Sequence, residues 1–191
     1  MIPRFIVVDG LDGCGKDTHA RRIARLLEAK GEKVTIVSHP SNRRFGRISK
    51  RSLESSGKLA RFWATVFYIL DVLVSVRRLR KQEGTVIFVR YLMGAAYLPR
   101  SLAPSGYKVF RNLLPFPDIA FFIDVEPKTA IRRIEARDHA REMFETEEKL
   151  AAVREVAKSL LSGEWEVIDN NRDGEEPFKE VESILRRRYI I

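Results

Sequence analysis

The chain has a single cysteine among its 191 residues. It can form no internal disulfide, which suits a reducing, cytosolic setting. It also lacks a long apolar run. Residues 62–76 come nearest, but Asp71 interrupts them and the stretch is short for a bilayer, so a buried or subunit-facing helix is expected there. Internal repeats, low-complexity tracts and linkers are absent. Met1 to Arg4 lead straight into an apolar run, so no leader peptide is expected. Acidic residues are the minority, 26 against 35 Lys and Arg, for a net charge of +9. That balance suits a phosphate-rich ligand or nucleic acid. The basic residues are scattered, however, and only Arg186-Arg187-Arg188 form a run. A dedicated nucleic-acid stripe is therefore not expected, and the triplet reads as a solvated helix end.

What remains is the composition of an ordinary globular chain, 45% hydrophobic and 32% charged, long enough for one domain spanning 1–191 with a substantial core. Short β-branched runs alternate with helical periodicity. Phe5-Ile6-Val7-Val8, Val34-Thr35-Ile36-Val37, Thr85 to Val89, Ile119 to Ile123 and Trp165 to Ile168 read as buried strands. Helices are expected from Ala20 towards Gly31, over 47–56, 58–81, 104–114, 128–137, 146–161 and 176–188. Strands alternating with helices specify an α/β fold: a doubly wound parallel sheet of about five strands. Ligands of such sheets bind beyond the carboxyl ends of the strands. Those ends are Gly10, His39-Pro40, Arg90-Tyr91, Asp124 and Asp169-Asn170.

Between the first strand and the first helix lies Gly10-Leu11-Asp12-Gly13-Cys14-Gly15-Lys16-Asp17-Thr18. Strand, glycine loop and helix in that order is the setting of a phosphate-binding P-loop. Glycines let successive N–H groups turn inward, and the helix N-terminus adds partial positive charge. Lys16 is then the residue that reaches the β- and γ-phosphates of a nucleoside triphosphate. Cys14 lies beside it, either as a reactive thiol or as loop filler, and filler is the expectation. One position departs from the pattern. The hydroxyl residue that ligates Mg²⁺ directly after the lysine is replaced by Asp17, with Thr18 one place late.

In these motifs and their order the chain resembles the thymidylate kinases, P-loop nucleoside-monophosphate kinases, over nearly its whole length. The matching pieces are D-G-L-D-G-C-G-K-D-T, His39-Pro40 to Gly46, and Phe67-Tyr68 before Asp71. Arg90-Tyr91 with Ala96-Tyr97, Asp124-Val125-Glu126-Pro127, Arg137 to Glu145 and Val167-Ile168-Asp169 follow in sequence. The resemblance implies a P-loop kinase fold with a short lid at about 137–145. It implies Mg²⁺-dependent transfer of the ATP γ-phosphoryl group to a nucleoside monophosphate, most simply dTMP, in a cytoplasmic homodimer. Lys16 and the amides of Gly10 to Thr18 would hold the donor phosphates, and Arg137 and Arg141 would close over the moving group. Arg90 would grip the acceptor phosphate, with Asp12 near the acceptor sugar, Phe67 or Tyr68 stacking on its base, and Tyr97 beside them. Val89 stands where the family has aspartate, His39 where it has glutamate, Val72 where arginine is frequent, and Gly94-Ala95 where a polar residue is expected. These departures thin the acceptor-side polar contacts. A kinase for another small acceptor and a nucleotide-binding regulator without turnover are the alternatives. Asp17 is a candidate Mg²⁺ ligand in place of the missing groups.

Overall fold

The computed structural model describes residues 4–54, 58–79, 81–136, 146–172, 174–188 and 191. Five parallel strands form its sheet: β1 (Arg4–Gly10), β2 (Val34–Ser38), β3 (Thr85–Val89), β4 (Ile119–Asp124) and β5 (Trp165–Asp169), in the order β2-β3-β1-β4-β5. The three central strands are apolar almost throughout because helices cover both of their faces, as a parallel sheet requires. Ile6 pairs with Ile87 on one side and Ile119 on the other. This register brings Gly10 level with Ile123, so the loop after β1 leaves from the middle of the carboxyl edge.

Helices α1 (Lys16–Glu28), α2 (Arg44–Glu54), α3 (Lys58–Leu79) and α4 (Ala103–Leu113) precede α5 (Pro127–Glu135), α6 (Glu147–Leu160) and α7 (Glu176–Arg187). A 3₁₀ segment, Leu92–Tyr97, follows β3. The helices lie where periodicity places them, to within about a turn at their ends, with α1 starting at Lys16, four residues before Ala20. Helix α2 begins at Arg44, three residues before its expected start, and Gly46 is packed so closely on Ser41 that a Cβ would meet its carbonyl at 2.1 Å. The segment after Arg90, to which the sequence pattern assigns no element, is the 3₁₀ turn. Asp9 explains it: its buried carboxylate accepts from the N–H groups of Tyr91 at 2.8 Å and Met93 at 2.9 Å, anchoring the segment's start. Sequence periodicity carries no trace of that tie. None of the described helices is long and apolar enough to cross a membrane.

Candidate active site

Gly13 and Gly15 take left-handed φ angles of 77° and 91°. A Cβ on Gly13 would stand 2.5 Å from the Ala130 carbonyl, so only glycine lets the loop pass α5. Gly15 is the N-cap of α1, which places Asp17 and Thr18, both exposed, in the helix's first turn. The loop therefore delivers backbone N–H groups and the positive end of a helix to one spot. Cys14 is buried against Gly10, and burial pushes its thiol up, so it fills space in the loop. Asn170, just past β5, donates to the Cys14 carbonyl at 2.7 Å and ties the loop to the far side of the sheet.

Asp12 joins the two halves of the site. Arg90 donates to its Oδ1, Lys16 Nζ lies 3.5 Å from the same oxygen, and the Tyr97 hydroxyl donates to Oδ2 at 2.9 Å. Burial alone would raise the Asp12 pKa. The charges of Arg90 and Lys16, with the Tyr97 hydroxyl, overcome it and hold the carboxyl down at about 2. Asp12 is thus an anion at every physiological pH, and it serves as the resting partner of two cations. Lys16 is only 3% exposed, and its ammonium donates to the Leu11 carbonyl at 2.8 Å. In this arrangement the lysine is folded onto its own loop and not extended towards solvent. Arg90 has φ 61°, the one left-handed non-glycine among the described residues.

The structure brings Lys16, Asp12, Arg90 and Tyr97 together, around a loop built from Gly10, Gly13, Cys14 and Gly15. It separates the aromatic pair. The Tyr68 hydroxyl donates to the Tyr91 carbonyl at 2.9 Å and its ring lies on Gly94, whereas Phe67 stacks on Phe45 and Trp63 with centroids 6.2 and 5.7 Å apart. One helical step turns about 100°, so neighbours on α3 face different elements. Of the two, Tyr68 is the one beside the Arg90–Tyr91 corner. Arg137, Arg141 and the rest of the lid segment 137–145 lie outside the described residues.

Clefts flank the loop on either side. One of about 160 Å³ is lined by Asp17, Val89, His39, Lys50 and Arg90. The other, of about 270 Å³, is lined by Thr18, His19, Arg22, Arg133 and Asn170. Thr18 was expected in the loop, whereas His19, Arg22, Arg133, Asn170, Asp9 and the polar contacts of His39 were not singled out as site residues from sequence. Asn170 and His39 left a signal as residues at strand ends. A groove of about 920 Å³ opens on Tyr97, between α3, the 3₁₀ segment, α4 and α6.

No three His, Cys, Asp or Glu side chains converge on a metal position among the described residues. A site of one carboxylate completed by phosphate oxygens and water is nevertheless the usual arrangement for Mg²⁺. Asp17, exposed in the cleft beside Lys16, fits that role.

Comparisons with known proteins agree in direction. The family model described as thymidylate kinase matches residues 8–181. A probable thymidylate kinase from Pyrobaculum calidifontis is 30% identical over 190 residues, covering 96% of each chain. A thymidylate kinase from Xanthomonas euvesicatoria pv. vesicatoria is 29% identical over 95% of this chain and 82% of its own. Among solved structures, thymidylate kinase from Candida albicans superposes with a TM-score of 0.79 at 17% identity, over 98% of this chain and 93% of that one, a likeness of fold.

Proposed function

The chain belongs to the thymidylate kinase family, and we propose that it transfers the γ-phosphoryl group of ATP to dTMP, giving ADP and dTDP. The observation that carries this reading is the pairing of Lys16 and Arg90 on one carboxylate. A P-loop alone binds a triphosphate. A second cation, delivered from β3 to the same point, is what a phosphoryl acceptor needs.

Transfer between two phosphates is chiefly a matter of alignment and charge neutralisation, and it needs no covalent nucleophile on the protein. A 5′-phosphate oxygen of the acceptor attacks the γ-phosphorus, and the bond to the β,γ-bridging oxygen breaks as ADP leaves. The amides of Gly13 to Thr18 hold the donor phosphates, and Lys16 turns from Leu11 to the β- and γ-phosphates. Arg90 holds the acceptor phosphate, while Asp12 and Tyr97 face its sugar. Tyr68 walls the acceptor base, with the groove on Tyr97 beyond it. Arg137 and Arg141 are the proposed lid cations over the moving group. Asp17 would hold Mg²⁺, which neutralises charge on the donor phosphates when bound. The 191 residues act as one kinase domain, in the cytoplasm, as a homodimer.

A screen of nucleoside monophosphates for ADP release from ATP tests this directly. dTMP is expected to give the highest kcat/KM. Preference for AMP or CMP would move the acceptor assignment. Absence of ADP release with every monophosphate would leave a nucleotide-binding regulator.

A further inference from the structure

We propose that His39 is a positioning residue for Arg90, holding the strained backbone from which that arginine reaches its phosphate. The inference rests on the reading of Arg90 as the acceptor-phosphate group. Its observations are the contacts of the imidazole. The His39 ring is 2% exposed and packs edge-on against Phe88 and Tyr68, with centroids 5.1 and 6.4 Å away. Nδ1 lies 3.0 Å from the Arg90 carbonyl, and Nε2 lies 2.7 Å from the Ser75 hydroxyl on α3.

These contacts fix the tautomer. A carbonyl only accepts, so Nδ1 carries the proton and donates to Arg90. On the neutral ring Nε2 is then a lone pair and accepts from the Ser75 hydroxyl, whose single proton turns to it and away from the Asp71 carbonyl 2.9 Å off. Ser75 in turn accepts from the Arg43 guanidinium, which also lies 3.4 Å from the buried carboxylate of Asp71. The result is one directed chain, Arg43 to Ser75 to His39 to the Arg90 carbonyl. It links the start of α2, the last turns of α3 and the end of β3. Burial and the neighbouring Arg43 keep the imidazole uncharged, which this chain requires, despite the opposing pull of Asp71.

The chain has work to do at Arg90. Its backbone is left-handed, φ 61°, where a residue with a Cβ persists only if its surroundings impose it. The Arg90 N–H reaches the Val8 carbonyl at 3.3 Å, a long bond, and the side chain is committed to Asp12. The His39 bond to the carbonyl is the shorter backbone hold on this residue. His39, at the exit of the neighbouring strand β2, supplies the fixing contact at the Arg90 carbonyl.

Three variants and one spectrum decide the proposal. His39→Phe keeps the ring and removes both hydrogen bonds, His39→Gln retains a donor and an acceptor, and Ser75→Ala cuts the chain one step earlier. Histidine ¹⁵N spectra of the nucleotide-free wild-type protein report the tautomer. We expect Nδ1 to be protonated. His39→Phe should raise the KM for dTMP about tenfold, the equivalent of one buried hydrogen bond, with the KM for ATP unchanged. His39→Gln should recover most of that loss, and Ser75→Ala should fall between. An Nε2-protonated ring, an unchanged dTMP KM in His39→Phe, or equal losses for ATP and dTMP would each overturn it. Should His39→Phe fail to fold, the tautomer and the His39→Gln and Ser75→Ala pair decide by the same criteria. Should the wild-type chain not phosphorylate dTMP, the function reading fails separately. The tautomer and the affinity of the same variants for inorganic phosphate, measured by calorimetry, then judge His39.

Discussion

Gly94 lies directly under the ring of Tyr68, and a Cβ at that position would stand 2.6 Å from Tyr68 Cε1. The 3₁₀ segment is thus closed against α3 by the absence of a side chain. Tyr68 is held there by its bond to the Tyr91 carbonyl. Gly94→Ala must displace the ring, and overpacking of this kind costs about 1–3 kcal/mol. We expect a lower denaturation midpoint and a raised KM for the acceptor. In a Tyr68→Ala background the same substitution should cost almost nothing, because the clash is with that ring. Equal costs in both backgrounds would show that Gly94 matters for its backbone instead.

Lys16 stands on the Leu11 carbonyl and beside Asp12. It is only 3% exposed, and its removal takes a donor from the Leu11 carbonyl. Lys16→Ala should therefore lose about 1 kcal/mol of stability, the worth of one hydrogen bond. Turnover should fall much further, by at least about 10²-fold, as expected when a charge on the transition state is removed. Purified Lys16→Ala with near-normal kcat would refute the enzymatic reading.

The five parallel strands, the loop and the placing of Lys16 and Arg90 on one edge were legible because they rest on local pattern, whereas Asp12 and Tyr97 beside them were expected only from the family resemblance. β-branched runs mark buried strands, glycines mark the loop, and a parallel sheet sends every strand end to one edge. What sequence did not reveal are contacts between residues far apart in the chain. Asp9 on the Tyr91 and Met93 amides, Asn170 on the Cys14 carbonyl, and His39 on Ser75 depend on register and side-chain direction. Phe67 and Tyr68 show the same limit at close range. Adjacent in sequence, they part because the helix turns between them. The departures read as losses, His39 and Gly94, are packed into specific contacts of their own.

Acid stability offers a test of Asp12. Its carboxyl titrates at about 2 when folded, below the value of 3.8 for a free side chain. A depressed carboxylate contributes stability above its unfolded pKa, and that stability is lost as pH falls through the folded value. The window is therefore pH 3.8 down to about 2. Above it, wild type should exceed Asp12→Asn by about 2 kcal/mol, and the difference should shrink steadily through the window. Denaturant titrations of both proteins at stepped pH measure it. A difference that stays constant down to pH 2 would mean that the Arg90 and Lys16 pairing adds nothing.

Two roles are open to Asp17 by its place at the start of α1, helix cap and metal ligand. The cap position of α1 belongs to Gly15, with no side-chain cap bond, so Asp17 lies inside the first turn. There its charge gains about 0.3–1 kcal/mol from the helix dipole. That gain is the whole effect if the residue is structural. Its carboxylate, however, is exposed in the cleft it shares with Val89 and Arg90, beside the P-loop lysine. A carboxylate next to bare triphosphate repels it, and a bridging Mg²⁺ reverses that sign. Asp17→Asn keeps the shape and removes the charge. If Asp17 holds the metal, the Mg²⁺ concentration needed for half-maximal ATP binding should rise severalfold, read by calorimetry without any turnover. Asp17→Ser combined with Val89→Asp, which moves a carboxylate to the facing wall of the same cleft, should bring it back. An unchanged Mg²⁺ titration in Asp17→Asn, with only a small loss of helix stability, would leave the dipole as its sole partner.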